Sequence, residues 1–197
     1  MVGGVTQPPT AGADAVLPAR RTPLASLRAA ARLALARARA RGRLDAEPGV
    51  WLAPGARVSV ARGASVVLGP GCELGSGTRI EAAAGRVEIG ARARLGERTT
   101  VAAVERIEIG EDALIGDWCL LADADPGYED VERATREQPL RTAPVRVGAG
   151  ARIAAHATLL AGAQVGDGAL VGSYALVRDA VPPRAVVAGV PARLSSA

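Results

Sequence analysis

The chain has 197 residues, enough for one domain with a core of its own. Apolar residues make up 49% of it, yet it has no phenylalanine and only 2% aromatic residues, which excludes a core built on aromatic rings and favours thin aliphatic layers. The net charge of +4 is unevenly spread, because residues 20–43 hold eight arginines and no acid. The basic balance therefore belongs to one segment and does not indicate a nucleic-acid-binding protein.

No apolar run approaches the roughly 18 residues that cross a bilayer. The opening stretch MVGGVTQPPTAGADAV lacks the basic-then-apolar order of a secretory leader, so a cytoplasmic location is expected. Cys72 and Cys119 make neither a disulfide framework nor a metal knuckle, and read as small core residues in a reducing compartment. A single histidine, His156, leaves no zinc site, and no metal is expected.

Residues 1–21 are rich in Pro, Gly and Ala without periodicity and read as a disordered tail. Thr22 followed by Pro23 has the character of a helix N-cap with proline at the first helical position. An Arg-rich helix is expected over 22–46, halted by Glu47, Pro48 and Gly49. Leu24, Leu27, Ala31 and Leu35 fall on one of its faces, with Arg28, Arg32, Arg39 and Arg43 beside them and Arg37 and Arg41 farther round. Two partners are open for it: the body of the protein, or an anionic lipid surface met through residues 22–43.

From Leu68 a six-residue period sets in. Aliphatic residues recur at Leu68, Leu74 and Ile80, then Ile89, Leu95 and Val101, then Ile109, Ile115 and Leu121. After a break they resume at Val147, Ile153 and Leu159, and at Val165, Val171 and Val177. A small residue usually follows four places later, as at Cys72, Thr78, Ala84, Ala93, Thr99, Ala113, Cys119, Ala151, Ala157, Ala163, Ala169 and Ala175. A helix repeats at three and four and a simple strand at two, so a strict six with two inward residues per unit predicts a triangular coil of three short strands. The expected domain spans 50–194, with 50–67 as a less regular starting coil and residues 122–145 as a loop that leaves one corner.

This pattern resembles the hexapeptide-repeat acyltransferases, and within them the sugar and polysaccharide O-acetyltransferases. The most specific stretches are GYEDVERATREQPLRTAPV and the following run from VRVGAGARIAAHATLL to VPPRAVVAGVPARL. The resemblance implies an all-β fold, a left-handed parallel β-helix, assembled as a homotrimer with sites between neighbouring prisms. It also implies acetyl-CoA or another acyl-CoA as donor and a hydroxylated sugar or cell-surface glycan as acceptor. Along the donor channel it points to Ala155, Ser173, Tyr174, Arg178 and Arg193, the arginines being suited to CoA phosphates.

In the family a loop histidine removes the acceptor proton. Asp123 matches the aspartate of that motif, but Ala124 and Pro126 stand where histidine would be. Asp123, Asp125 and His156 are the remaining candidates. The carboxylates are weak bases at neutral pH and read as solvated loop residues, while His156 falls at an outward hexad position. Arg152 replaces a tryptophan that the family commonly has before the isoleucine at 153, a departure that bears on the acceptor pocket. Two functions stay open: an O-acyltransferase, or a non-catalytic homologue with a structural or regulatory role. A γ-type carbonic anhydrase on the same prism would need three histidines and is excluded.

Overall fold

The computed structural model describes residues 22–127 and 129–195; the expected tail at 1–21 lies outside the described residues. Residues 44–194 form a triangular solenoid of parallel strands with three faces of seven, eight and six strands. The first complete coil is made of Leu44–Ala46, Trp51–Leu52 and Arg57–Val60. The second is Ser65–Leu68, Glu73–Leu74 and Arg79–Ala82, and the third Arg86–Ile89, Arg94–Leu95 and Thr100–Ala103. The fourth is Arg106–Ile109, Leu114–Ile115 and Leu120–Ala122, after which the chain leaves the prism. It returns for a fifth coil (Val145–Val147, Arg152–Ile153, Thr158–Leu159) and a sixth (Gln164–Val165, Leu170–Val171, Leu176–Val177). Ala180–Val181 and Val186–Ala188 begin a seventh, and Arg193–Leu194 folds back antiparallel on the latter.

Register follows the hexads. On the second face Leu52, Leu74, Leu95, Ile115, Ile153, Val171 and Val187 pair in sequence, all buried. The small residues line the inside of the corners, where three faces converge and a larger side chain would not fit. Ala84 departs from the expected pattern. The third-face strand runs on to Ala82, which takes the inward place, and Ala84 is left half-buried in the corner.

Buried polar groups in the corners are satisfied by the next coil. The Thr99 hydroxyl donates to the Gly116 carbonyl at 2.7 Å and accepts from the Cys119 amide at 3.2 Å. The Cys119 thiol donates to the Ala154 carbonyl at 3.2 Å. Burial pushes the Cys72 thiol up to about 12 and the Cys119 thiol up to about 11, because a thiolate has no water to stabilise it there. Both cysteines are unbridged and act as small core residues.

Coil stacking explains the glycine after many of the aliphatics. A Cβ on Gly110 would stand 2.6 Å from the Ala149 nitrogen, and one on Gly116 would stand 2.6 Å from that of Ala155. Two residues on from this glycine the chain turns in the left-handed region. Arg92, Asp112, Gly150, Gly168 and Arg184 mark this place at one corner, and Arg98, Trp118, His156 and Tyr174 at the next.

The helix runs Pro23–Ala40, with the Thr22 hydroxyl accepting from the Ala25 amide at 3.2 Å. It ends earlier than 46, because Arg41 adopts a left-handed conformation (φ 51°) and its N–H returns to Ala38 and Arg37. Leu44–Ala46, expected within the helix, is the first strand of the prism, so the solenoid starts before residue 50.

The helix lies across the open end of the prism and packs on all three strands of the first coil. Its buried residues are Ala29, Ala36 and Ala40, with Leu33 partly covered. An unpaired first coil would present bare carbonyls at its edge. Arginine covers one on each face. Arg32 Nη1 donates to the Leu52 carbonyl at 2.8 Å, Arg37 Nη2 to that of Ala46, and Arg43 Nη2 to that of Val60 at 3.4 Å. The stripe of Leu24, Leu27 and Leu35 points the other way and is exposed.

Candidate functional site

Two adjacent corners of the prism carry the residues singled out from the sequence. The corner between third and first faces carries the loop in the fourth coil and Arg178 in the sixth. Asp123 stands at the loop root and is fully buried, contrary to the expectation of a solvated acid. Its carboxylate accepts from the Val104 amide at 2.7 Å and the Glu105 amide at 2.9 Å, two donors left over where the coil below turns. Both oxygens are thus committed to backbone. Its carbonyl accepts from Ala143 at 3.0 Å, closing the neck of the loop.

Beyond that neck Ala124–Pro126 pairs antiparallel with Leu140–Thr142, placing Asp125 opposite Arg141. Arg141 forms an ion pair with Glu129. The loop tip is organised by Gln138, whose amide nitrogen donates to the carbonyls of Asp130 (2.8 Å) and Arg133 (3.0 Å). Asp125 is half-buried and keeps solvent access.

The corner between second and third faces carries Ala155 and His156 in the fifth coil, with Ser173 and Tyr174 above them. The Tyr174 amide donates to the Ala155 carbonyl at 3.2 Å. His156 is exposed as expected, but it is not free-standing. Its ring stacks on Tyr174 at 4.7 Å with 1° between planes, and on Trp118 in the coil below at 6.2 Å and 8°. The Arg98 guanidinium lies 4.7 Å over the Trp118 ring. This four-coil column follows from the stacking itself, because equivalent left-handed corner residues in successive coils project in the same direction. Trp118 and Arg98 were not singled out from the sequence, although each stands three places after an inward aliphatic, as His156 and Tyr174 do.

Arg178 and Arg193 come together. Both line a cavity of about 290 Å³ at the C-terminal end, floored by Val177, Val181 and Val187 and walled by Pro191 and Leu194. Arg193 reaches this place because the last strand doubles back over the second face. Arg178 lies 3.9 Å from Asp179, a loose pair that leaves its guanidinium largely in solvent. Arg152 lines a groove on the second face with Arg92, Arg94 and Glu73. Within one chain the loop with Arg178 and the column of His156 and Tyr174 stand on opposite edges of the third face.

No family model matches the sequence. A probable acetyltransferase of Mycobacterium tuberculosis, Rv3034c, is 30% identical over 115 residues, which is 58% of this chain and 38% of that protein. The chain thus spans under half the length of this curated relative. Among solved structures, AntD, an N-acyltransferase from Bacillus cereus in complex with dTDP and 3-hydroxybutyryl-CoA, superposes with a TM-score of 0.65. The overlap covers 78% of this chain and 82% of that one at 18% identity. A hexapeptide-repeat acetyltransferase of Vibrio cholerae, VCA0836, complexed with acetyl-CoA, has a TM-score of 0.51 at 20% identity, over 85% of this chain and 76% of that one. The repeats and the coordinates together make the chain a hexapeptide-repeat protein with the β-helix fold of the acyltransferases it resembles.

Proposed function

We propose that the protein is an acyl-CoA-dependent acyltransferase whose acceptor is a sugar amine. The observation that carries this reading is the commitment of Asp123 to two backbone amides, in a loop with Ala124 and Pro126 where a histidine would serve. A hydroxyl needs its proton removed as it attacks a thioester. A neutral amine attacks with its own lone pair: the C–N bond forms, the C–S bond breaks, and the departing thiolate (pKa near ~8.5 as a free thiol) can take the surplus proton. AntD supports the same choice, since a variant of that enzyme binds dTDP-4-amino-4,6-dideoxyglucose together with CoA, at a TM-score of 0.66 and 18% identity.

Arg178 and Arg193 would hold the phosphates of the CoA donor at the C-terminal cavity, and Tyr174 with Ala155 and Ser173 would flank its arm. The residues fit such a group: Arg178 and Arg193 both line one cavity with an apolar floor, and a guanidinium can pair with phosphate. Ala155, Ser173 and Tyr174 lie on the opposite edge of the third face from Arg178 and the loop, so a homotrimer that sets one prism's third face against its neighbour would join them. Support comes from the outer side of that face in the third to sixth coils, where Thr100, Ala102, Leu120, Ala122, Thr158 and Leu176 are uncharged, whereas the first two coils carry Arg57, Arg79 and Glu81 there.

The test is release of CoA thiol from acetyl-CoA with dTDP-4-amino-4,6-dideoxyglucose or dTDP-glucose as acceptor. Turnover confined to the amino sugar is expected. Turnover of the hydroxyl sugar would instead support O-acyl transfer, with Asp125 or His156 as base. CoA binding with turnover of neither would support the non-catalytic homologue. Calorimetry should show CoA binding that weakens with salt and falls about tenfold or more in Arg178→Ala/Arg193→Ala.

A further inference from the structure

The N-terminal helix uses opposite faces for different purposes. One side, Ala29, Ala36 and Ala40, packs on the first coil, and Arg32, Arg37 and Arg43 reach past it to the edge carbonyls. The opposite side carries Leu24, Leu27 and Leu35, exposed by 55%, 69% and 51%, interspersed with Ala31, Ala34 and Ala38. Arg28 and Arg39 flank this stripe, Arg41 closes the helix, and the segment 20–43 holds no carboxylate. The two readings left open by the sequence are therefore compatible.

We propose that this outward face docks the protein on an anionic lipid surface, with the leucines entering the acyl boundary and Arg28 and Arg39 at headgroup level. Three observations favour that occupant. The helix packs on all three strands of the first coil through its alanine side, so the exposed leucine face opposite points away from the coils. The flanking charge is of one sign, which opposes pairing with a second copy of the same face and favours an anionic partner. Residues 1–21 carry Asp14 as their one acid and no periodic apolar stripe, and so complement neither the leucines nor the arginines.

The experiment is co-sedimentation of the full chain with vesicles of phosphatidylcholine alone and of phosphatidylcholine mixed with phosphatidylglycerol. Binding is expected to the mixed vesicles only, and to fall as salt is raised. Leu27→Gln/Leu35→Gln should weaken it at least tenfold, and Arg28→Gln/Arg39→Gln by about 25-fold, since each basic residue near such a surface contributes about fivefold. These side chains are exposed, although Leu35 and Arg39 border a groove against Arg57–Val60, so circular dichroism and the melting temperature should stay close to the wild type. Failure of the wild type to bind mixed vesicles overturns the proposal. So does binding that the leucine pair does not weaken. Should the wild type fail while a chain lacking residues 1–21 binds, the tail covers the face. Should the wild type fail and the leucine pair lower the sedimentation coefficient, a second copy covers it.

Discussion

At the scale of single residues, burial decides what each polar side chain can do. Asp123 reads from the sequence as a weak candidate base or a solvated loop acid, but its environment makes it the tie that holds the loop to the coil below. Asp123→Ala should leave the Val104 and Glu105 amides unpaired and cost about 2–4 kcal/mol of stability, read as a lower urea midpoint. Proteolysis within residues 124–142 should quicken as the neck loosens. The cysteines give a prediction in pH. Their folded pKa values of about 12 and about 11 lie above that of an unfolded thiol, near ~8.5, so well below that pH neither state releases a proton. As pH rises past it, the unfolded chain loses protons that the folded chain keeps, and stability falls by up to about 1.4 kcal/mol per pH unit for each thiol. Cys119→Ala should flatten that fall in urea titrations between about pH 8 and 11, because alanine already fills the equivalent corner at Ala157 and Ala175.

At the scale of elements, the helix and the loop solve different problems. A stack of strands ends in an unpaired edge that invites another chain to pair with it. The helix covers this edge with a small-residue face, and alanine is what lets its backbone come close enough for arginines to reach the carbonyls. Arg32→Met/Arg37→Met keeps the aliphatic stems while removing the donors. The double change should cost about 1–3 kcal/mol, seen as a fall of several degrees in melting temperature, and should raise the aggregation rate. Loss of melting temperature without aggregation would mean that the alanine face alone protects the edge.

At the scale of the whole molecule, the solenoid is a sum of neighbouring coils. Val147 pairs with Val165, eighteen residues on, so one turn is a removable unit. Deleting residues 148–165 joins Val147 to Gly166 in the same repeat position and should leave a cooperatively melting β protein of lower stability. A deletion one residue shorter, 148–164, displaces every later aliphatic by one place. Because strand side chains alternate, the inward set turns outward and the C-terminal coils should fail to fold. Circular dichroism and melting of the two variants would distinguish these outcomes.

The prism itself was legible in the chain, since hexads from Leu68 to Val177 stack in the register that their spacing demands, with the breaks at corners. Periodicity reports local geometry repeated many times, and each repeat needs the same inward aliphatic whatever lies next to it. The helix was legible as a helix, but its buried face was not. Leucine is the more apolar stripe, yet alanine packs against the prism, because close approach to the edge carbonyls outweighs the area that leucine would bury. The first strand at Leu44–Ala46 was hidden because its partner, Ser65–Leu68, lies a full coil away. The candidate site was legible as a set of residues and not as an arrangement. Sequence spacing placed His156 and Tyr174 outward, while their stacking with Trp118, the burial of Asp123 and the meeting of Arg178 with Arg193 depend on contacts between coils and on a strand that reverses over the end of the prism. A hexad records which way a side chain points; only the stacked coils decide what it meets there.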